Sequence, residues 1–267
     1  MRPSDVFRAD LLADHVVVIT GGASGLGAAI AEECAALGAR LALGAREPDR
    51  LATAADRLRA EGVDVFAEPL NIRDAQACED WIAAARAHHG GLDVLVNNAG
   101  GQFPSPAEHI SAKGWNAVID TNLNGTWYMS RAFGQQQFAD RRPGRIINIV
   151  AAMWRGFPGM AHSGAARAGV VNLTKSLALE WASRGILVNA VAPGVIRTSG
   201  LDSYPPAVQQ MFETTIPEQI PLHRLGDPAD AVWPVVYLAG PAGSYITGET
   251  ICVDGGLQLS GTLFPLS

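Results

Sequence analysis

The sequence predicts an α/β fold, a single doubly wound parallel sheet with helices on both faces, built as one domain over residues 1–267. Three observations lead there. Short continuous apolar runs of strand length recur along the chain, and segments of helical periodicity separate them, as strands buried on both faces require. A glycine-rich turn, Thr20-Gly21-Gly22-Ala23-Ser24-Gly25-Leu26-Gly27, follows the first run and opens the first helix. With 267 residues, 48% of them hydrophobic and 17% charged, the chain can bury one large core.

The elements follow in order. Residues 16–19 form the first strand, and the helix after it carries Leu26, Ile30 and Leu37 and stops at Gly38. The alternation recurs as a strand over 40–43 and a helix near 48–61, a strand over 63–67 and a helix near 74–88, and a strand over 94–96 before helices near 111–139. A strand over 145–150, a long helix near 161–183, and strands over 186–191 and 250–253 complete the series. Residues 195–222 are the least regular part, with Pro205, Pro206, Pro217 and Pro221 around a short helical stretch. Because this segment leaves a strand at the carboxyl edge of the sheet, it reads as a substrate lid. No internal repeat, low-complexity tract or linker interrupts the pattern.

Charge narrows the function classes. A net charge of −6 and a pI near 5.5, without any block of basic residues, argue against a nucleic-acid surface or an anionic-membrane patch. Lys113 and Lys175 are the only lysines, so nearly all positive charge is arginine. Cys34, Cys78 and Cys252 form no close pair and read as buried thiols of a reducing compartment. The amino terminus lacks the apolar stretch of a secretion signal, and Pro265-Leu266-Ser267 does not match the Ser-Lys-Leu type of address. A cytoplasmic, soluble protein is the expectation. His88, His89, His109 and His223 lack metal-ligand spacing with carboxylates or thiols, so no metal site is expected.

The glycine turn carries the first chemistry. Glycines let the backbone approach a pyrophosphate closely, and a helix opening there offers unpaired N–H groups, so Gly21, Ser24, Gly25, Leu26 and Gly27 point to a dinucleotide. At the end of the second strand, an acidic residue would bind the adenosine ribose of NAD. Arg46 stands there instead and favours NADPH, the alternative being an arginine that touches only water.

Asn97-Asn98-Ala99-Gly100, Asp120-Thr121-Asn122-Leu123, Pro193-Gly194-Val195-Ile196-Arg197-Thr198 and Val253-Asp254-Gly255-Gly256 occur in that order after the glycine turn. Together they resemble the short-chain dehydrogenase/reductase family across nearly the whole chain. The resemblance implies a Rossmann-type domain and a homotetramer. It places Asn98, Ala99 and Gly100 by the adenine ribose and adds Asn71 and Ile72 to the cofactor set. Pro193, Gly194, Ile196 and Thr198 would meet the nicotinamide. Asn122 would be the asparagine that kinks its helix and holds a relay water, or else a simple packing amide.

The chain departs from that family at its reactive residues. Ala151 stands where a serine is expected, Ser163 where a tyrosine acid is expected, and Arg167 where a lysine is expected. A second register ending at Lys175 puts Val171 in the tyrosine position and fails too. Ketone reduction leaves full negative charge on an oxygen that must be protonated, and a serine hydroxyl is a poor acid for that task. The segments around His162-Ser163-Gly-Ala-Ala-Arg167, Gly100–Ser111 and Asn172–Trp181 resemble the trans-2-enoyl-CoA reductases of peroxisomes and, more distantly, the 2,4-dienoyl-CoA reductases. These members of the superfamily reduce a C=C bond with NADPH.

That chemistry tolerates the missing tyrosine. Hydride at the β-carbon of an acyl-CoA thioester drives charge onto the thioester oxygen as an enolate, which needs hydrogen-bond donors more than a strong acid. Ser163, His162, Asn122 and the backbone around Gly101 and Gln102 are the candidate donors, with Arg167 on the nicotinamide ribose. For His162 a structural role is the alternative. Two other readings stay open: a carbonyl reductase using an acid from elsewhere, such as Tyr204 or Tyr128, and an inactive cofactor-binding subunit of an oligomer.

Overall fold

The computed structural model describes residues 6–198, 200–201 and 204–259. The sequence features at Met1–Asp5 and at Pro265-Leu266-Ser267, and Ser199, Asp202 and Ser203 of the expected lid, lie outside the described residues.

Seven strands form one parallel sheet in the order β3-β2-β1-β4-β5-β6-β7. They are β1 Val16–Thr20, β2 Arg40–Ala45, β3 Val65–Pro69, β4 Val94–Asn97, β5 Gly144–Ile149, β6 Ile186–Pro193 and β7 Thr250–Val253. The helices are α1 Gly25–Ala36, α2 Pro48–Ala60, α3 Ala75–His89, α4 Ala112–Ile119, α5 Gly125–Asp140, α6 Ala161–Trp181, α7 Pro206–Glu213, α8 Thr215–Gln219 and α9 Pro228–Ala239. Successive strand residues point to opposite faces, and the core divides accordingly. Val17, Ile19, Leu41 and Leu43 pack with α1, α2 and α9, whereas Val16, Val18 and Ala42 pack with α3, α5 and α6.

Strand order reverses between β2-β1 and β4-β5, so a crevice opens at the carboxyl ends of β1 and β4. The glycine turn after β1 and residues 97–100 at the end of β4 border that crevice. Local signals fix the connections. Asp74 caps α3 through a hydrogen bond from Ala77 N (3.1 Å), and Gly90 ends that helix in a left-handed conformation.

Three sequence expectations shift. The third strand starts at Val65, because the Val63 N–H returns to Leu58 O at the end of α2. Helix α9 has no counterpart in the sequence reading, which runs from the lid to the last strand without one. It buries Ala231, Val232, Val235, Val236, Leu238 and Ala239, so it has no narrow apolar stripe, and Pro234 lies inside it. Cys252 is half-buried on β7, unlike the buried Cys34 and Cys78, whose thiols burial pushes up to about 12.

Candidate active site

Two adjoining cavities occupy the crevice. The first, about 340 Å³, is bounded by Gly21, Ser24, Arg46, Asn71, Ile72 and Asn98 among others. The second, about 680 Å³, runs from Leu26 and Gly101 to Arg167, Pro193, Thr198 and Tyr204. Asn98, Gly100 and Gly101 belong to both walls.

The turn after β1 is tied to β4. Thr20 Oγ1 accepts from the N–H groups of Asn98 (3.0 Å) and Ala99 (2.9 Å), and Asn98 Nδ2 donates to Thr20 O at 2.9 Å. Helix α1 then begins with Gly25 at φ +53°, and no side chain caps it: the exposed Ser24 makes no capping bond and the first turn holds no acid. Its first N–H groups are free for an anion. Gly27 lies under the turn, where a Cβ would collide with Gly21 O. These features fit the pyrophosphate of a dinucleotide.

Arginine gathers at the far end of the first cavity. Arg46 and Arg50 are exposed on its wall, and Arg73 joins them from the β3–α3 loop with its Nε 2.6 Å from Thr121 Oγ1. Glu47 is the only carboxylate among the lining residues. Arg50 and Arg73 were not singled out in the sequence. Arg50 stands four residues beyond Arg46, a spacing that could have flagged it, whereas Arg73 arrives only through the fold.

Around the second cavity, the guanidinium of Arg167 packs so closely on Gly100 that a Cβ there would displace it, and would press on Asn122 Oδ1 as well. Arg167 Nη1 donates to Ile149 O at 2.6 Å, Nε has no partner, and no carboxylate pairs with the side chain among the described residues. Burial pushes it down to about 10, so it remains a cation at neutral pH. Pro193, Gly194, Ile196 and Thr198 line the opposite wall. Ala151, in the expected serine position, lines it as well.

Asn122 lies in a π-helical turn, Asp120–Asn124, that joins α4 to α5, a break in helical spacing where the family resemblance placed a kink. Its Nδ2 donates to Gly101 O (2.7 Å) and Val118 O (3.1 Å), and its Oδ1 accepts from Gly101 N (3.1 Å). Both amide hydrogens are committed, so this fully buried side chain fastens the Gly101 backbone and has none left for a substrate oxygen.

Ser163 and His162 are also fully buried and stand behind the cavity wall, not on it. Ser163 Oγ donates to Gln102 Oε1 at 2.7 Å. His162 Nδ1 accepts from Ser163 N (2.8 Å), its Nε2 has no partner, and its ring meets Phe103 edge to face at 4.5 Å. Gln102 and Phe103 form the wall in front of them. The sequence drew attention to the Gln102 backbone and missed its side chain, for which a loop offers no periodic signal. Lys175 is exposed on α6, Tyr128 is half-buried against the core, and Tyr204 lines the second cavity.

The family described as Enoyl-(Acyl carrier protein) reductase matches residues 21–258. A probable 2,4-dienoyl-CoA reductase, (2E)-enoyl-CoA-producing, of Bacillus subtilis is 38% identical over 247 residues, 91% of this chain and 96% of that one. A 3-oxoacyl-acyl-carrier-protein reductase of Staphylococcus aureus is also 38% identical, over 91% of this chain and 97% of its own length. Among solved structures, a citronellol catabolism dehydrogenase of Pseudomonas aeruginosa superposes with a TM-score of 0.84 at 37% identity, covering 95% of this chain and 98% of that one.

Proposed function

The chain belongs to the short-chain dehydrogenase/reductase family of oxidoreductases, which use nicotinamide cofactors, and we propose that it reduces the C=C bond of trans-2-enoyl- or 2,4-dienoyl-CoA thioesters with NADPH. The observation that carries this reading is the pairing of a missing phenol acid with a half-buried cation that has no carboxylate partner among the described residues. Ser163 occupies the tyrosine position and is turned away into the protein, while Arg167 faces the cavity. The 38% identity to the dienoyl-CoA reductase supports it.

The residues divide the work. The α1 N-terminus and Ser24 hold the pyrophosphate, Arg46, Arg50 and Arg73 surround a 2′-phosphate, and Arg167 holds the nicotinamide ribose. A bound nicotinamide supplies the hydride. As the substrate β-carbon accepts it, the C=C pair forms a new π bond between the α-carbon and the carbonyl carbon, and the carbonyl π pair moves onto the thioester oxygen. When the C=O bond re-forms, the α-carbon takes a proton from water. The oxygen needs donors, which the Gln102 amide NH₂ and the Arg167 charge provide. Ser163 positions Gln102, and Asn122 positions Gly101. Leu26, Phe103, Phe157, Met160 and Leu201 give the cavity an apolar side suited to an acyl chain, and Val195, Ile196, Thr198, Gly200, Tyr204 and Pro205 of the expected lid segment line it. The edge strand β7 serves the homotetramer of a cytoplasmic enzyme.

Carbonyl reduction is the second reading, favoured by Tyr204 on the same cavity wall and by the equal identity to a 3-oxoacyl reductase. NADPH oxidation by purified protein with trans-2-enoyl-CoA, 2,4-dienoyl-CoA, 3-ketoacyl thioesters and simple ketones separates the two. Turnover with the unsaturated thioesters supports C=C reduction. Turnover confined to carbonyl substrates, and lost in Tyr204→Phe, replaces it with the second reading. Tight cofactor binding without turnover on any of them means an inactive subunit.

A further inference from the structure

Spacing in the sequence gives no reason to expect a metal site at the histidines, whereas the fold brings three candidate ligands together. Asp64 immediately precedes β3, while His88 and His89 are the last two residues of α3. His88 Nε2 is 3.1 Å from Asp64 Oδ1, His89 Nδ1 is 3.2 Å from Asp64 Oδ2, and the three ligand atoms lie within 4.8 Å of one another.

The orientation of His89 is decisive. Its Nε2 is 3.0 Å from Leu41 O, which can only accept, so Nε2 carries a hydrogen. That leaves Nδ1 as the ring atom facing Asp64, on a side chain 0% exposed, and Nδ1 is the atom that would ligate a metal. A backbone carbonyl on the far nitrogen is also how ligating histidines are ordinarily oriented.

The spacing suits a small ion. With one ligand atom from each residue, all lying within 4.8 Å of one another, the three side chains need only small shifts to meet one ion at bonds of about 2.0–2.1 Å. Two imidazoles and a carboxylate select zinc, cobalt, nickel or copper over magnesium and calcium, which prefer oxygen. His88 and Asp64 are 44% and 51% exposed, so an ion can enter and keep a water in a remaining position. Arg40 Nη1 donates to the His89 carbonyl at 3.0 Å and fixes the backbone of the site.

We propose that Asp64, His88 and His89 bind a divalent transition metal of the zinc type at the amino-terminal edge of the sheet, fastening the end of α3 to the edge strand β3. The site is separate from the cavities at the carboxyl ends of the strands and stands independently of the substrate reading.

The test uses tag-free, full-length protein stripped with a chelator, with zinc titrated by calorimetry and cobalt followed by its visible absorption. One metal per chain is expected, with cobalt displaced by zinc and a rise of several degrees in Tm on loading. Asp64→Asn and His88→Ala change exposed side chains, so each variant should fold and retain cofactor binding while losing metal affinity at least about tenfold. Absence of zinc, cobalt, nickel and copper binding overturns the proposal. Binding of equal affinity in the double variant overturns it as well, because the metal then sits elsewhere.

Discussion

The Ser163 hydroxyl donates to Gln102 Oε1 across 2.7 Å, from a position with no exposure of its own to a side chain on the cavity wall. The residue that the sequence reading put in the place of a proton donor is thus an anchor for Gln102. With Oε1 held from behind, the Gln102 amide NH₂ is the polar end left for a ligand.

Gln102→Ala should lower kcat by about a hundredfold, the loss typical of one donor to a developing oxyanion. Ser163→Ala should lower it by about tenfold, since Gln102 stays present but loses its orientation. The double variant should be little worse than Gln102→Ala alone, because the serine acts through the glutamine. Steady-state kinetics on an enoyl-CoA decide this, and additive losses would give Ser163 a direct role.

Arg167 is the test of the half-buried cation. Arg167→Met should abolish tight NADPH binding, and Gly100→Ala should mimic it by driving a methyl group into the guanidinium. The pH dependence has a definite sign. Burial lowers the folded-state value to about 10, so the charge is present below that pH and lost above it. Cofactor affinity should be flat through neutrality and fall as pH rises through about 10. The fold itself should move the other way, since losing a half-buried charge relieves its desolvation cost. Fluorescence titration of NADPH from pH 7 to pH 11 reads the first effect, and a flat profile would remove Arg167 from the cofactor site.

The parts legible in the sequence are those that one segment specifies. Residues 16–19, buried on both faces, and the turn from Gly21 to Gly27 carry their signals locally, whereas the break at Asn122 between α4 and α5 was expected only from the family resemblance. Helix α9 was hidden because Pro228 and Pro234 read as breakers and its apolar residues surround the axis instead of marking one stripe. Arg73, Gln102 and the meeting of Asp64 with His88 and His89 depend on chain crossings that no local window contains. Arg167 lies on the long helix that the sequence expects, yet its approach to Gly100 is a product of packing.

Cofactor choice should follow the arginines. Arg46→Ala should weaken NADPH by roughly tenfold to a hundredfold, the range for one charge-assisted hydrogen bond, and leave NADH nearly unchanged. Arg50→Ala should show a smaller loss in the same direction. Raising ionic strength should erode NADPH affinity more than NADH affinity, because the exposed groups are screened. Equal losses for both cofactors would dismiss the 2′-phosphate role.

Beneath the site, the β4–β5 register sets Asn97 beside Asn148, and a buried chain of amides and hydroxyls follows from it. Asn97 Nδ2 donates to Asn148 Oδ1 and to Ser130 Oγ, each at 2.9 Å, and Asn148 Nδ2 donates to Thr174 Oγ1 at 2.9 Å. Asn148→Ala strands a buried donor on Asn97 and leaves a cavity, so it should cost about 1–3 kcal/mol in urea unfolding. Asn148 immediately precedes Ile149, whose carbonyl oxygen receives Arg167 Nη1. Loss of the network should therefore loosen the cation as well as the fold, and NADPH affinity should fall in Asn148→Ala. Asn189→Ala, which breaks comparable bonds to Ile246 O and Glu249 N away from the arginine, should destabilise the protein with little effect on cofactor affinity. Parallel losses of affinity in both variants would mean that general loosening, not the Ile149 carbonyl, governs the position of Arg167.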